Sequence, residues 1–382
     1  MNTRRILAAM CLALLSACAA TKSPSQLTEP NDSNDNVDAK IAYYEKRIES
    51  HPTVAALRAK LGLCYLQKAK ETHDVDWLKK SRAAIQQSID IQPSLEAYRA
   101  MAAICGFAHQ FACAVEWGEK AVRTYSRDFV SVAILADGYL RTGKPELALK
   151  TLDLKGGDAE NSYELAEAKG LIFSELGRMD EAREQYRRSQ LLAAGRGDRS
   201  LEARAKINLA GTYIDTKKAP EAMAILAEIR DMNGVSGTVR GLLLRHRAEL
   251  AELDNEYDKA LQLYEELAQV QGQDQHDPDL YRKCYHLALA TGAEAKAKEF
   301  FKRSEDESLK ILSKGEVFSL ECLALLYAEA GVNLEQAEKY ALRNLEIKQD
   351  KSAREALDFV RRKLSDNQKA VSHASATQEG KC

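Results

Sequence analysis

Cysteine carries most of the chemistry that this chain could do. Of eight cysteines, Cys18 has the most telling surroundings: it follows Leu15-Ser16-Ala17 at the end of an apolar run from Ile6 to Leu15, behind Arg4 and Arg5. A positive start, a short apolar stretch and small residues before a cleavage point describe an export signal, and the run is too short to cross a bilayer. Loss of residues 1–17 leaves Cys64, Cys105, Cys113, Cys284, Cys322 and Cys382 beside Cys18. Cys105 and Cys113 stand eight residues apart across an expected turn between two helices. They either join in a disulfide, as an oxidising compartment allows, or stay as unlinked buried thiols, since free cysteine packs as a small hydrophobe. Cys64, Cys284 and Cys322 have apolar neighbours and read as core, and Cys382 ends a polar segment.

Other reactive constellations are missing from the sequence. No two of the seven histidines have the i,i+4 spacing that would place them on one helix face as zinc ligands. There is no phosphate-binding or dinucleotide-binding glycine loop and no Gly-x-Ser-x-Gly elbow. Carboxylate pairs such as Glu181/Glu184 and Glu265/Glu266 read as solvated helix surface. The expectation is a protein without catalytic residues, metal or cofactor.

The elements that would position these residues are helices. Long stretches space apolar residues at helical intervals, with Ala, Leu, Glu, Lys and Arg between them, and no run alternates β-branched residues. An all-α fold follows. Residues 18–38 hold Pro24, Pro30 and many Ser, Asn and Asp, and read as a flexible tether behind the anchor; about twenty such residues span roughly 25 Å root-mean-square. Residues 365–382 are polar and lack helical periodicity, so they read as a loose tail. Without Arg4 and Arg5, 53 basic side chains face 57 acidic ones, a net charge of −4, and no basic block suits a phosphate backbone. Nucleic acid is not an expected partner.

A recurring unit organises the region 39–364. Gly143, Gly177 and Gly292 each stand five residues before an alanine, Ala148, Ala182 and Ala297. Each glycine falls where one helix should end in a left-handed residue, and each alanine where two helices should pack closely. Ala114, Ala148 and Ala182 are 34 residues apart in turn, and the series continues through Ala222, Ala260, Ala297 and Ala337, with Ser81 one repeat earlier. Four residues on stand Ile85, Leu152, Tyr186, Leu226, Tyr264 and Phe301, with Gly118 as a departure. Tyr65, Tyr139, Phe173 and Tyr213 fill an aromatic position in the first helices. Longer connections are expected near Glu71 to Asp76, Gly195, Asn233, Gln273 and Lys314, and Pro52 and Pro278 read as openings of first helices.

On these residues the chain resembles the tetratricopeptide repeat (TPR) proteins, whose unit is a pair of antiparallel helices. The resemblance implies a right-handed superhelical solenoid of about eight TPR-like helix pairs, with a concave groove lined by first helices. Projected onto this chain, groove-facing positions are Asp137, Arg141, Glu167, Glu175, Ile207, Asp215, Arg245, Glu249, Glu252, Arg282 and His286. The lysine and asparagine clamp by which some members hold a C-terminal carboxylate is not reproduced: Asn208 is present without its basic companions.

Leu15 to Cys18 resembles the lipobox of bacterial lipoproteins, which implies lipidation of Cys18, palmitate included, and Ala19 after the cysteine implies sorting to the outer membrane, facing the periplasm. The expected function is therefore a non-catalytic outer-membrane lipoprotein scaffold, holding a protein or peptide partner in the groove during assembly of secretin, pilus or peptidoglycan machinery. The alternative is a transporter-associated TPR lipoprotein that binds a small ligand.

Overall fold

The turns between helices show best how local sequence builds this fold. In a computed structural model of the chain, residues 37–154, 156–229, 235, 237–271 and 277–379 are described, with side chains to residue 370. Gly143, Gly177 and Gly292 take positive φ (73–75°), as the glycine spacing leads one to expect, and so do His109, Lys217 and Asn255 at the equivalent places (57–59°). In all six turns the following backbone N–H donates to the carbonyl five residues back at 2.8 Å, as in Lys144 to Tyr139, Gln110 to Cys105 and Lys218 to Tyr213. This bond closes a helix C-terminus by capturing one of its free carbonyls.

The chain divides into two compact units at Asp277. The first opens with α1 (Val37–Ser50), followed by six helix pairs: α2 (Ala55–Thr72) with α3 (Val75–Ile91), α4 (Leu95–Phe107) with α5 (Phe111–Thr124), α6 (Phe129–Arg141) with α7 (Pro145–Leu152), then, after the single turn α8 (Gly157–Glu160), α9 (Tyr163–Glu175) with α10 (Met179–Arg196), α11 (Arg199–Asp215) with α12 (Ala219–Ala227), and α13 (Gly237–Leu253) with α14 (Tyr257–Gln271). The second unit holds two pairs, α15 (Pro278–Ala290) with α16 (Glu294–Ser313) and α17 (Leu320–Ala330) with α18 (Leu334–Ile347), and closes with α19 (Lys351–Glu379). No strand occurs among the described residues. The eight pairs match the expected solenoid of all-α helix pairs.

Five of the first helices begin on side-chain caps. Ser94, Asp128, Ser162 and Asp198 each accept a hydrogen bond from the backbone N–H three residues on, and Asp277 accepts from Asp279 and Leu280. Such a cap satisfies an orphan donor and contributes about 1 kcal/mol. Within pairs, Ala114, Ala148, Ala182, Ala222, Ala260, Ala297 and Ala337 are all buried. Ser81 takes the same place and donates to the Gly62 carbonyl at 2.7 Å. Close approach is visible at Gly170, where a Cβ would stand 2.7 Å from the Tyr186 ring. Only glycine lets that ring lie on α9.

Four local expectations change. Pro52 stands in the turn before α2 rather than at its start, since the helix begins at Ala55. The excess residues near Gly195 do not form a loop: they lengthen α10 to Arg196, and Gly197 then turns the chain at positive φ. Val37 and Asp38, read as the end of the tether, begin α1, where Val37 is buried against Ile41 and Tyr44. Residues 365–379, read as a tail, continue α19. Alanine, glutamine and charged residues favour helix without any apolar stripe, which is why periodicity did not find them. Cys18, Cys382, Asn233 and Gln273 lie outside the described residues.

Candidate binding face of the first helices

The projected groove positions gather into separate polar clusters on the first helices, and several are deeply buried. In α6, Asp137 and Arg141 are one turn apart, with Arg141 Nε 3.2 Å from Asp137 Oδ1. Arg141 Nη1 lies 3.7 Å from Glu175 Oε2 at the end of α9, so an ion pair joins consecutive first helices. Arg141 is fully buried. A guanidinium out of water needs carboxylates around it, because its desolvation costs several kcal/mol.

A second cluster joins α9 to α11. Arg204 donates from Nε and Nη2 to the Tyr163 hydroxyl at 3.0 and 2.8 Å, and Nε lies 3.9 Å from Glu167 Oε1. Asn208 Nδ2 also donates to Glu167. Burial pushes the Tyr163 hydroxyl well above its ordinary pKa, with Arg204 pulling it back and Glu167 pushing it further. Burial lowers the Arg204 guanidinium, but Tyr163 and Glu167 reverse that and hold it above its usual value. Next to this cluster Tyr186 is buried, and burial, then Glu167, Glu175 and Asp215, keep its hydroxyl protonated far above the ordinary range. Three of the projected acids therefore converge on one phenol.

The remaining positions fall into two further groups. Around Tyr264, whose hydroxyl donates to Glu252 at 2.9 Å, burial, Glu249 and Glu252 raise the phenol pKa and Arg245 lowers it. Glu249 is buried, whereas Arg245 and Glu252 are half-buried. In the second unit Arg282 donates to Asp279 at 3.1 and 3.3 Å and to Glu329 of α17. His286, one turn further, is exposed. Ile207 is fully buried as core and makes no part of a binding face.

Repeat register thus chose residues that cluster on the first helices, but it treated them as a row open to a partner. The structure pairs Asp137 with Arg141, Glu167 with Arg204, and Arg282 with Asp279 and Glu329; Asp215, Arg245 and Glu252 are half-buried and His286 is exposed. Tyr163, Arg204, Asp279 and Glu329 were missed. One signal pointed to the first two: the alanine spacing widens from 34 to 40 residues between Ala182 and Ala222, and the added length carries Arg204 over Tyr163.

Cys105 and Cys113 are joined in a disulfide, with Cα atoms 5.7 Å apart, while Cys64, Cys284 and Cys322 are buried and form no disulfide. Among the described residues no group of three His, Cys, Asp or Glu side chains is arranged to hold a metal ion, and no helix is long and apolar enough to cross a membrane.

No protein-family model and no curated protein sequence matches the chain. Solved structures do. A human IFIT1 dimer with m7Gppp-AAAA is 17% identical over 82% of this chain and 68% of its own, with a TM-score of 0.50. A tetratricopeptide repeat protein from Parabacteroides merdae is 17% identical over 70% of this chain and 98% of its own, at 0.41. At such identity the likeness concerns fold alone. The paired helices, their αL turns and their buried alanines, with the likeness of fold to the IFIT1 structure, define the class: an all-α helical-repeat solenoid.

Proposed function

We propose that this chain is a non-catalytic scaffold, anchored through a lipid on Cys18 at the outer membrane of a bacterial envelope, that holds a protein partner while an envelope machine is assembled. The observation that carries the binding part is the partly exposed polar face left on consecutive first helices, with Asp215 on α11 and Arg245 and Glu252 on α13. A face built from regularly repeated helices suits an extended peptide or a partner helix. Its charge favours protein over nucleic acid. Of its partly exposed residues, Asp215 and Glu252 are acidic and Arg245 alone is basic, which is not the basic patch a phosphate backbone needs. The anchoring part rests on Leu15 to Cys18 and their resemblance to a lipobox.

The two parts are tested separately. Replacing Cys18 with Ala is expected to move the protein from the membrane to the soluble fraction with unchanged helicity; continued membrane attachment would refute the anchor. Photo-crosslinking in cells from Arg245 and His286, read by mass spectrometry, is expected to capture one dominant envelope protein. Capture of no macromolecule from either position would refute the scaffold reading.

A further inference from the structure

The second helix pair of the first unit is built differently from its neighbours. In three other pairs an aromatic residue of the first helix and a large residue of the second share one packed cluster: Tyr139 with Leu152, Phe173 with Tyr186, and Tyr213 with Leu226. At the same register the second pair has Cys105 and Gly118. A Cβ at Gly118 would stand 3.2 Å from the Leu135 Cβ, so a larger residue there must displace α6 by a few tenths of an ångström. The first helix of this pair also buries mainly alanines: Ala97, Ala100, Ala102 and Ala103 are nearly inaccessible.

A second tie is missing as well. Tyr65 and Tyr139 each reach back to the helix before them, donating to Glu45 at 2.6 Å and to Glu119 at 2.9 Å. Cys105 stands where Tyr139 does one repeat later, has no hydroxyl to donate, and instead bonds forward to Cys113 on α5. The covalent bond lies where the other pairs place bulk.

We infer that the Cys105–Cys113 disulfide replaces the interhelical wedge of the second pair, so that the integrity of this pair, and of no other described pair, is under redox control. The inference stands on the disulfide and not on the proposed partner. Reduction requires a dithiol donor. Its thiolate attacks the Cys113 sulfur, which is partly exposed, whereas Cys105 is 1% exposed. Cys105 leaves as a thiolate and takes up the proton the donor thiol gave. The donor's second thiol then resolves the mixed disulfide and releases Cys113 as a thiol. The protein gains two electrons and two protons, and the donor becomes a disulfide. Afterwards α4 and α5 are held by Ile104, Phe111 and the small residues, together with the Tyr98–Trp117 ring contact at 5.6 Å away from the turn.

Hydrogen exchange of the full chain, read by mass spectrometry before and after reduction with dithiothreitol, tests this. With two new thiols counted by alkylation, amides of Leu95–Thr124 are expected to exchange on the order of ten- to a hundredfold faster, the range for releasing a short covalent loop, while the other pairs keep their rates. The double variant Cys105→Ala/Cys113→Ala should show the same pattern without reductant and no further response to it, and it reads the outcome where the bond resists reduction in the folded state. Unchanged exchange in Leu95–Thr124 with the bond absent would overturn the inference. So would equal acceleration in all pairs.

Discussion

Replacing Tyr163 with Phe removes one oxygen and should destabilise the chain far more than its size suggests. Both hydrogen bonds made by the Arg204 side chain end on that hydroxyl, at 3.0 and 2.8 Å, and Arg204 Nη1 makes none. Arg204 is 1% exposed, so water does not replace the loss. Two hydrogen bonds to a charged group contribute about 1.5 kcal/mol each, and Glu167 at 3.9 Å still offsets part of the charge. The expected cost is about 3 kcal/mol, at the lower end of the 3–5 kcal/mol range for a stripped buried ion pair. The reasoning makes a sharper statement about coupling. In an Arg204→Met background the hydroxyl keeps only the Leu201 carbonyl at 3.4 Å and the Glu167 carboxylate as partners, so the same Tyr163→Phe change should cost about 1 kcal/mol, a coupling of roughly 2 kcal/mol. Equilibrium urea unfolding of the four proteins, followed by circular dichroism, measures it. Equal costs in both backgrounds would refute the view that Tyr163 acts by satisfying Arg204.

Three further outcomes follow from the same geometry. Ala148→Trp places a large ring at a fully buried helix contact and should lower stability by about 3 kcal/mol or more, read as a lower melting temperature. Lys217→Gly relieves a lysine held at φ 57° and should raise stability by about 0.5–1 kcal/mol, whereas Gly143→Ala, at φ 75°, should lower it by a similar amount; the reverse order in urea midpoints would sink the turn assignment. Burial, with nearby carboxylates, raises the hydroxyl pKa of Tyr186 and Tyr264 well above the ordinary value. The unfolded chain therefore releases these protons first, near pH 10. Stability from these groups is complete below pH 10 and falls as pH rises beyond it. Unfolding midpoints that stay flat from pH 8 to well above 10, or tyrosinate absorbance from these two residues near pH 10 in the folded chain, would contradict this sign.

How far the sequence could be read depended on whether a feature is local. The Gly-x4-Ala unit is local: a left-handed residue ends one helix, a small one seats the next, and both requirements act within a few residues. Three turns were legible because glycine marks them. His109, Lys217 and Asn255 adopt the same backbone at positive φ and were hidden, since tertiary packing holds them against their own preference. The extended helix to Glu379 was hidden for the opposite reason: it has helix propensity without an apolar face. The Cys105–Cys113 pairing stayed open in sequence because eight-residue spacing fits both a bond and packed thiols.

The binding face depends on contacts between repeats, which no single repeat encodes. Register predicted that Glu167 and Glu175 share one face of α9, and they do, both acting on Tyr186. It did not predict that Arg141 arrives from the preceding pair and Arg204 from the following one to neutralise them. Those cations are arginines with little exposure, and a buried guanidinium holds its carboxylate partners in place, because removing any one strands a charge. Glu167 and Glu175 are therefore positioned by the scaffold before any partner arrives, and a partner would have to break ion pairs to use them. Asp215, Arg245 and Glu252 have more exposure, so a partner's side chains can reach them. Substitutions at Asp215 and Arg245 should weaken capture of a partner more than the fold, Glu252→Ala should also cost stability by stranding the buried Tyr264 hydroxyl, and Glu167→Ala and Glu175→Ala should lower stability first. If instead Glu167→Ala abolished capture at unchanged stability, the face would reach deeper than the exposed positions, and the second cluster would be the site itself.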